Sequence, residues 1–345
     1  MCVWCAYTGK KEAAPILDKM GKRIEGLWSG FYSGMVTQES DGLKMAKVAG
    51  CTRFWDERNS VHDFHGTCGL WHSRTNSGGS WRYGHPFVGV RGLVAAVSQG
   101  SPGYFASRDP LHLEMIRKFH REGMQFTTEQ EPYGGKYYVL DNGKQIHVSD
   151  FVTQLTEKEY LRTGNPVESI RLALTQFQEE ASCIMVFRDI PRRIFFATTS
   201  QRIIAAKYAD GIALSITALA FGHNAPSFTE IPMNSVGYVD EDTLHVGKLS
   251  PQFDNIYDTI PDGCAAAMRG FLERQGPASM PQVCDKAIAP LFPKELNAPK
   301  VTASATYKAL ETLYFNNKIE IIPEEAQNPV NKIIGRADKI KLTGM

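Results

Sequence analysis

The sequence predicts an α+β fold in which sheets are covered by helices. Short period-2 or continuous apolar segments, which are typical of strands, dominate the first two-thirds of the chain. Helical patterns are fewer and do not follow each strand, so a regular parallel sheet is not expected. Eight strands are predicted, at 3–7, 31–37, 68–72, 92–97, 182–187, 194–198, 212–214 and 235–239.

Two helices are predicted among these strands. The first covers 109–122, where Asp109 and Pro110 form a start signal and Gly123 a stop signal. The second covers 166–180 and repeats the apolar spacing of the first. Both patterns indicate helices with one apolar face turned towards a sheet.

A polar, turn-rich stretch at 250–262 predicts a domain boundary, with domains at 2–255 and 262–345. The second domain has the element order of a winged-helix module. Its 11 Lys+Arg against 9 Asp+Glu are too balanced to argue for DNA binding, which leaves a small packing or dimerisation domain as the alternative. Its predicted helices are 264–274, 281–291 and 304–316, and its predicted strands are 319–322 and 332–342.

The composition is that of a globular protein, and its net charge is too small to produce a strong overall electrostatic field. Its 345 residues carry a formal net charge of +1, which indicates neither a nucleic-acid nor a membrane partner. No apolar run approaches the roughly 20 residues of a membrane helix, and the N-terminus lacks a secretory pattern. Seven scattered cysteines suit a reducing compartment. We therefore expect a cytoplasmic protein.

Cys2 is the first candidate for chemistry. Removal of Met1 before this small residue would leave Cys2 with both a thiol and a free α-amine. An α-amine has a reference pKa of about 7.7–8.0 and can act as a base near neutral pH, while a thiolate is a strong nucleophile. One terminal residue would then supply both roles.

Four sequence motifs further along the chain resemble those of a known family. They are W-H-S-R-T-N-S-G-G at 71–79, G-H-P-F at 84–87, S-Q-G at 98–100 and G-M-Q-F-T-T-E-Q-E at 123–131. Their order and spacing resemble class II glutamine amidotransferases, N-terminal-nucleophile hydrolases exemplified by the glutaminase domain of glucosamine-6-phosphate synthase. The resemblance extends to about residue 250 and implies a four-layer αββα fold.

The resemblance also implies how an amino-acid substrate is held. The guanidinium of Arg74 would bind the α-carboxylate bidentately, with the Ser77 hydroxyl as a second donor. Glu129, where the family has Asp, would accept the α-ammonium. Glutamine, or a glutamine-like amide, is therefore the expected ligand.

For the reaction itself, the resemblance makes Cys2 the nucleophile. Gln99 and the backbone N–H of Gly100, which match the family's Asn-Gly pair, would stabilise the oxyanion. The products would be ammonia and a glutamyl thioester that water hydrolyses. No acceptor domain is recognisable after residue 260, so we expect a separate ammonia-accepting enzyme.

The sequence departs from the family pattern at several positions. Val3 follows the nucleophile where the family has Gly, and Ser29 begins a segment that lacks the family's arginine. Thr75 replaces the tryptophan after the substrate arginine, and Gly78 replaces a later histidine. Together with Glu129 for Asp, these changes put the gating of ammonia and the exact amide substrate in question.

Three alternatives stay open. A related hydrolase could cut another γ-glutamyl amide, or a non-catalytic glutamine sensor could control the winged helix. A metal could in principle bind at a C-x-x-C and an H-x-x-H, but their spacing matches no standard zinc module. The residues concerned are Cys2 and Cys5, and His62 and His65 with the nearby Cys51 and Cys68. We therefore predict no metal and no cofactor. The sequence leaves the oligomeric state open, a homo-oligomer included.

Overall fold

The structure is a computed structural model. It describes residues 2–58, 61–101, 103–223, 227–257, 259–293, 301–328 and 331–344. Met1, on whose removal the proposed N-terminal chemistry depends, lies outside the described residues.

The described chain forms twenty strands and eight α-helices. The strands are β1 (Val3–Gly9), β2 (Tyr32–Glu39), β3 (Gly42–Ala49), β4 (Cys68–Arg74), β5 (Phe87–Val88), β6 (Val94–Ser101), β7 (Tyr138–Val139), β8 (Gln145–Ile146), β9 (Glu180–Phe187), β10 (Ile190–Thr198), β11 (Ile203–Tyr208), β12 (Gly211–Ser215), β13 (Phe228–Ile231), β14 (Ser235–Val239), β15 (Leu244–Lys248), β16 (Ala278–Ser279), β17 (Ile319–Ile322), β18 (Glu325–Gln327), β19 (Ile334–Arg336) and β20 (Lys339–Leu342). The helices are α1 (Ala13–Trp28), α2 (Thr52–Arg58), α3 (Asp109–Arg121), α4 (Val148–Thr163), α5 (Pro166–Gln176), α6 (Cys264–Gln275), α7 (Met280–Val283) and α8 (Thr302–Phe315).

Two large sheets dominate the fold. The seven-stranded sheet has the order β13-β11-β12-β1-β4-β2-β3, and the six-stranded sheet has the order β15-β14-β10-β9-β6-β5. Strands β1 and β4 of the first sheet contact β6 and β10 of the second, so the sheets stack face to face. Pairings such as β1 with β4 and β6 with β9 are antiparallel.

Helices cover the outer faces of both sheets. Helix α1 packs on β1 and β4, while α4 packs on β6 and α5 packs on β10 and β14. The buried residues form one cluster between the sheets and under α1, and a second cluster between the six-stranded sheet and its helices. The layers are therefore helix, sheet, sheet and helix, and the expected α+β arrangement is confirmed.

The eight predicted strands all fall on strands, but the helix predictions need correction. The helix predicted at 166–180 ends at Gln176, because the chain must turn at 177–179 to enter β9 at Glu180. Helices α1 and α4 were not predicted from the sequence pattern. In α1, Gly21 lies against the ring of Trp71, where an added Cβ would come within 2.5 Å of the indole.

The C-terminal region forms a small three-stranded sheet with the order β16-β20-β17, together with α6, α7 and α8. The strand predicted at 332–342 is in fact two strands, because β19 pairs with β18 and only β20 joins the small sheet. Its buried residues belong to the same cluster as those between the large sheets. The domain boundary and the winged-helix assignment stay predictions.

Helix α8 is anchored by a buried charge network. Both carboxylate oxygens of Glu311 accept hydrogen bonds of 2.8 Å from Arg202. Glu311 also accepts from the hydroxyl of Thr217 and from the N–H of Ala218. This helix is therefore fixed to the seven-stranded sheet.

Within the described residues, no helix has both the length and the apolar character needed to cross a membrane.

Candidate active site

Cys2 lies at one end of the seven-stranded sheet, next to Arg74. In the antiparallel pairing of β1 with β4, Val3 is opposite Ser73. Cys2, one residue further out, therefore lies beside Arg74, the last residue of β4. Opposed residues of antiparallel strands share a face, so both side chains are on one face of the sheet. Arg74 is in turn opposite Tyr32 on β2, which extends the row to a third strand.

The guanidinium of Arg74 is almost completely buried, with 1% of the residue exposed. It donates to the carbonyl of Gly78 at 2.7 Å and to the hydroxyl of Ser77 at 3.0 Å. It also donates to the phenol oxygen of Tyr137 and lies 5.2 Å from the ring centre of Tyr32. In this state the protein itself occupies the donors that a substrate carboxylate would need.

Two glycine-containing loops meet above Arg74. An added Cβ at Gly78 would lie 3.1 Å from the backbone nitrogen of Gly135, and both residues have positive φ. The carbonyl of Tyr133 accepts a hydrogen bond from the N–H of Gly79. This close contact brings Tyr137 over the guanidinium. No sequence motif indicated this contact or Tyr137.

Gln99 faces the space between the sheets, as Cys2 does. Trp4, two residues after Cys2 on the same face, donates to the hydroxyl of Ser182 at 3.3 Å across the inter-sheet space. Ser182 is opposite Gln99 in the pairing of β6 with β9. The amide of Gln99 donates to Gln201 at 3.1 Å. The structure thus brings Cys2, Arg74 and Gln99 to the same end of the two facing sheets.

Glu129 lies in a different environment. Its carboxylate accepts a hydrogen bond of 2.9 Å from Asn142 and lies 3.6 Å from the ammonium of Lys144 and 3.5 Å from the ring of His120. Its side chain is 20% exposed. Among the described residues, no hydrogen bond or ion pair joins Glu129 to Arg74. The assignment of Glu129 to the substrate ammonium stays a prediction.

Three histidines lie beneath the row of Cys2 and Arg74, of which His72 and His85 are buried and His147 is half-buried. The rings of His72 and His85 are 4.0 Å apart, and His147 is 5.4 Å from His85. Burial lowers the pKa of His72 to about 3 and holds the pKa values of His85 and His147 well below their ordinary range. These imidazoles are therefore neutral near pH 7. They form a packed polar layer rather than a group of cations.

The C-terminal region also reaches this end of the sheets. Tyr307 on α8 is buried, and in the described part of the chain its hydroxyl has no hydrogen-bond partner. Burial raises the pKa of Tyr307, and charges on Glu311 and Cys2 raise it further. Asn331 donates to the hydroxyl of Tyr32, in the row that contains Arg74. No sequence motif indicated either residue.

The alternative metal site does not assemble. Cys5 and Cys2 differ by an odd number of residues along β1, so their side chains leave opposite faces of the strand. The Cys5 thiol is directed to the carbonyl of Leu17 on α1. His65 lies beside Glu12, 3.1 Å away. In the described ranges, no three His, Cys, Asp or Glu residues are grouped so that they could hold a metal ion.

Comparison with known proteins identifies the fold. No family model and no curated protein sequence matches the chain. Among solved structures, glutamine phosphoribosylpyrophosphate amidotransferase from B. subtilis matches with a TM-score of 0.59 and 13% identity, over 94% of this chain and 66% of that one. A structure described as the allosteric regulatory enzyme of purine biosynthesis matches with a TM-score of 0.57 and 13% identity, over 80% of this chain and 58% of that one.

The chain shares the fold of a glutamine amidotransferase. At 13% identity, the similarity establishes the fold and not the reaction. The resemblance predicted from the sequence is therefore confirmed at the level of the fold. The chain spans less than two thirds of the length of these two solved proteins.

Proposed function

We propose that this chain is a cytoplasmic glutamine amidotransferase subunit that hydrolyses the side-chain amide of glutamine. The observation that carries the proposal is the position of Cys2. It lies beside the buried guanidinium of Arg74, and Gln99 is on the facing sheet at the same end. A nucleophile, a carboxylate-binding cation and an amide donor at one sheet end are the three groups that the reaction needs.

In the proposed reaction, the α-amine of Cys2 takes the thiol proton, and the sulfur attacks the side-chain carbonyl carbon of glutamine. Gln99 and the N–H of Gly100 stabilise the oxyanion. The C–N bond then breaks, and the nitrogen leaves as ammonia with the proton from the α-amine. Water cleaves the resulting thioester, so glutamine and water yield glutamate and ammonia.

Arg74 must exchange partners when substrate binds. The α-carboxylate would replace the Tyr137 phenol on the guanidinium, and Ser77 would add a hydroxyl donor. Because a charge-assisted bidentate pair is stronger than a bond to a neutral phenol, this exchange favours the substrate. The loop that carries Tyr137 would move with it.

The released ammonia would pass to a separate enzyme. The described C-terminal elements form only a small sheet with three helices. We include in the proposal that these elements are a winged-helix domain, since α6, β16, α7, α8, β17 and β20 follow one another along the chain and the three strands share one sheet. Helix α8 is packed against the large sheets through Glu311, which disfavours DNA binding by that helix.

The second candidate function is hydrolysis of another γ-glutamyl amide. The loops above Arg74 favour a different leaving group, because Gly78, which stands where the family has a histidine, packs against Gly135. Both candidates use Cys2 and Arg74 in the same roles. They differ in the leaving group, which a panel of γ-glutamyl amides distinguishes.

The test is ammonia release from L-glutamine by the purified chain, measured with a coupled glutamate dehydrogenase assay. Wild type should release ammonia and glutamate in equal amounts, and Cys2→Ala should reduce kcat by on the order of 10⁴-fold. Cys5→Ala is the matched control, because that thiol points to the opposite face of β1 and should leave turnover intact. Equal activity of wild type and Cys2→Ala would refute the proposal.

A further inference from the structure

A cavity lies on the helix side of the six-stranded sheet, next to the candidate site. Its volume is about 430 Å³, which is within the range of about 300–1,000 Å³ that is typical of small-molecule sites. Its lining includes apolar walls from Ile146, Val148 and Phe177. Tyr137, whose phenol covers Arg74, also lines it. The cavity and the carboxylate-binding guanidinium are therefore separated by one side chain.

The cavity contains a buried carboxylate without a partner. Glu179 is 4% exposed and lines the cavity. Within the described ranges, its carboxylate takes part in no hydrogen bond or ion pair. A buried ionised carboxylate without a partner is strongly unfavourable, so a cation in the cavity would relieve that cost.

Glu179 is also close to the residues proposed to stabilise the oxyanion. An added Cβ at Gly100 would lie 3.1 Å from its carboxylate oxygen Oε2. Gln99 and Gly100 are consecutive on β6, so their side-chain positions leave opposite faces of that strand. The Gly100 position is thus on the side of Glu179, while Gln99 is on the face towards the other large sheet, as Cys2 is.

None of the other polar groups of the cavity pairs with Glu179 in the described chain. Asp109 accepts a hydrogen bond of 2.8 Å from Tyr138. His112 stacks on Phe177, and burial lowers its pKa, which favours the neutral imidazole. Lys136 is exposed at the rim and makes no ion pair with Glu179 in the described structure. The interior of the cavity is therefore suited to a positively charged group.

We infer that Glu179, rather than Glu129, is the carboxylate that binds the α-ammonium of the substrate, with Tyr137 moving aside to join this cavity to Arg74. The inference rests on the proposed function. It makes Glu179 a specificity-determining residue for substrates that carry a free primary ammonium next to the carboxylate. Glu129 already has Asn142 and Lys144 as partners and keeps a surface role.

The test compares L-glutamine with 4-carbamoylbutanoate, which is glutamine without its α-ammonium. Glu179→Gln should raise the KM for L-glutamine by about 100-fold, because the ammonium loses its buried counter-ion. It should leave the KM for 4-carbamoylbutanoate within twofold of wild type. Glutamine has the shape of a protonated glutamate, so the variant should fold, which thermal unfolding verifies.

Glu114→Gln, at an exposed carboxylate on α3, is the matched control and should change neither KM, while Glu129→Gln tests the competing assignment. If Glu129→Gln instead removes the preference for L-glutamine and Glu179→Gln keeps it, the inference is overturned while the proposed function stands. Calorimetric titration of both compounds provides a measurement that needs no turnover. Binding of neither compound by wild type overturns both proposals. Equal binding of L-glutamine by wild type and Glu179→Gln overturns the inference alone.

Discussion

Two regions of the molecule each bury an ionisable side chain, but only one of them provides that side chain with protein partners. The regions are the space between the two large sheets and the cavity on the helix side of the six-stranded sheet. Between the sheets, Arg74 is buried but fully engaged by Gly78, Ser77 and Tyr137. In the cavity, Glu179 is buried and has no such partners in the described chain. A substrate must therefore displace protein groups at Arg74, whereas at Glu179 its ammonium would meet a buried carboxyl group that has no partner among the described residues, and would favour loss of the carboxyl proton.

The largest expected effect concerns Glu179 and pH. Burial raises its pKa to about 8, so between about pH 5 and pH 8 the folded chain keeps a proton that the unfolded chain has released. The free energy of unfolding of wild type should therefore fall as pH rises through this window, relative to Glu179→Gln. We expect a relative change of roughly 2–4 kcal/mol, measured by urea unfolding at pH 5 and pH 9 without ligand.

Other titrating groups face the same carboxylate, but they are present in both proteins and cancel in the difference. They are Asp109 and His112 on α3, Lys136 and Tyr138 on the adjoining segment, and Cys183 on β9. A difference between wild type and Glu179→Gln that does not vary with pH would show that Glu179 already has a partner. The contrast between the two regions would then disappear.

Arg74→Lys tests the other region. Lysine keeps the positive charge but loses the planar fork that binds a carboxylate through two parallel hydrogen bonds. We expect the KM for L-glutamine to rise by about 100-fold, or about 3 kcal/mol, with a smaller change in kcat. Steady-state kinetics measure both, and circular dichroism verifies folding. An unchanged KM would mean that Arg74 is only structural.

Tyr137→Phe tests the partners of Arg74 and has the smallest expected effect on KM. It removes the hydroxyl that occupies Arg74 while keeping the ring against Tyr83, 4.5 Å away. Because the substrate carboxylate no longer competes with that hydroxyl, the KM for L-glutamine should fall by about fivefold. A rise in KM would indicate that the phenol contacts the substrate instead of blocking it.

The candidate residues that the sequence could group lie on strands or next to them. The resemblance to the amidotransferase family grouped Cys2, Arg74 and Gln99, and apolar alternation located β1, β4 and β6. The antiparallel register then places Cys2 beside Arg74. This is information that spacing alone cannot supply, because it depends on which strands pair.

Site residues that lie outside the sequence motifs could not be predicted from the sequence. Glu179 follows α5 in a segment that was predicted as helix, and only the end of α5 at Gln176 shows that it enters the cavity. Tyr137 lies in a segment without apolar periodicity. Helix α1 was missed because Pro15, Gly21 and Gly26 weaken its helical pattern. Tertiary packing, such as that of Gly21 on Trp71, outweighs this weak propensity.

The central claim is that Cys2 is an N-terminal nucleophile in a glutamine site. The most direct measurement is the intact mass of the purified protein before and after exposure to 6-diazo-5-oxo-norleucine, an electrophile that mimics glutamine. The account predicts loss of Met1 and a single adduct that is absent from Cys2→Ala. Retention of Met1 with no adduct on wild type would contradict it.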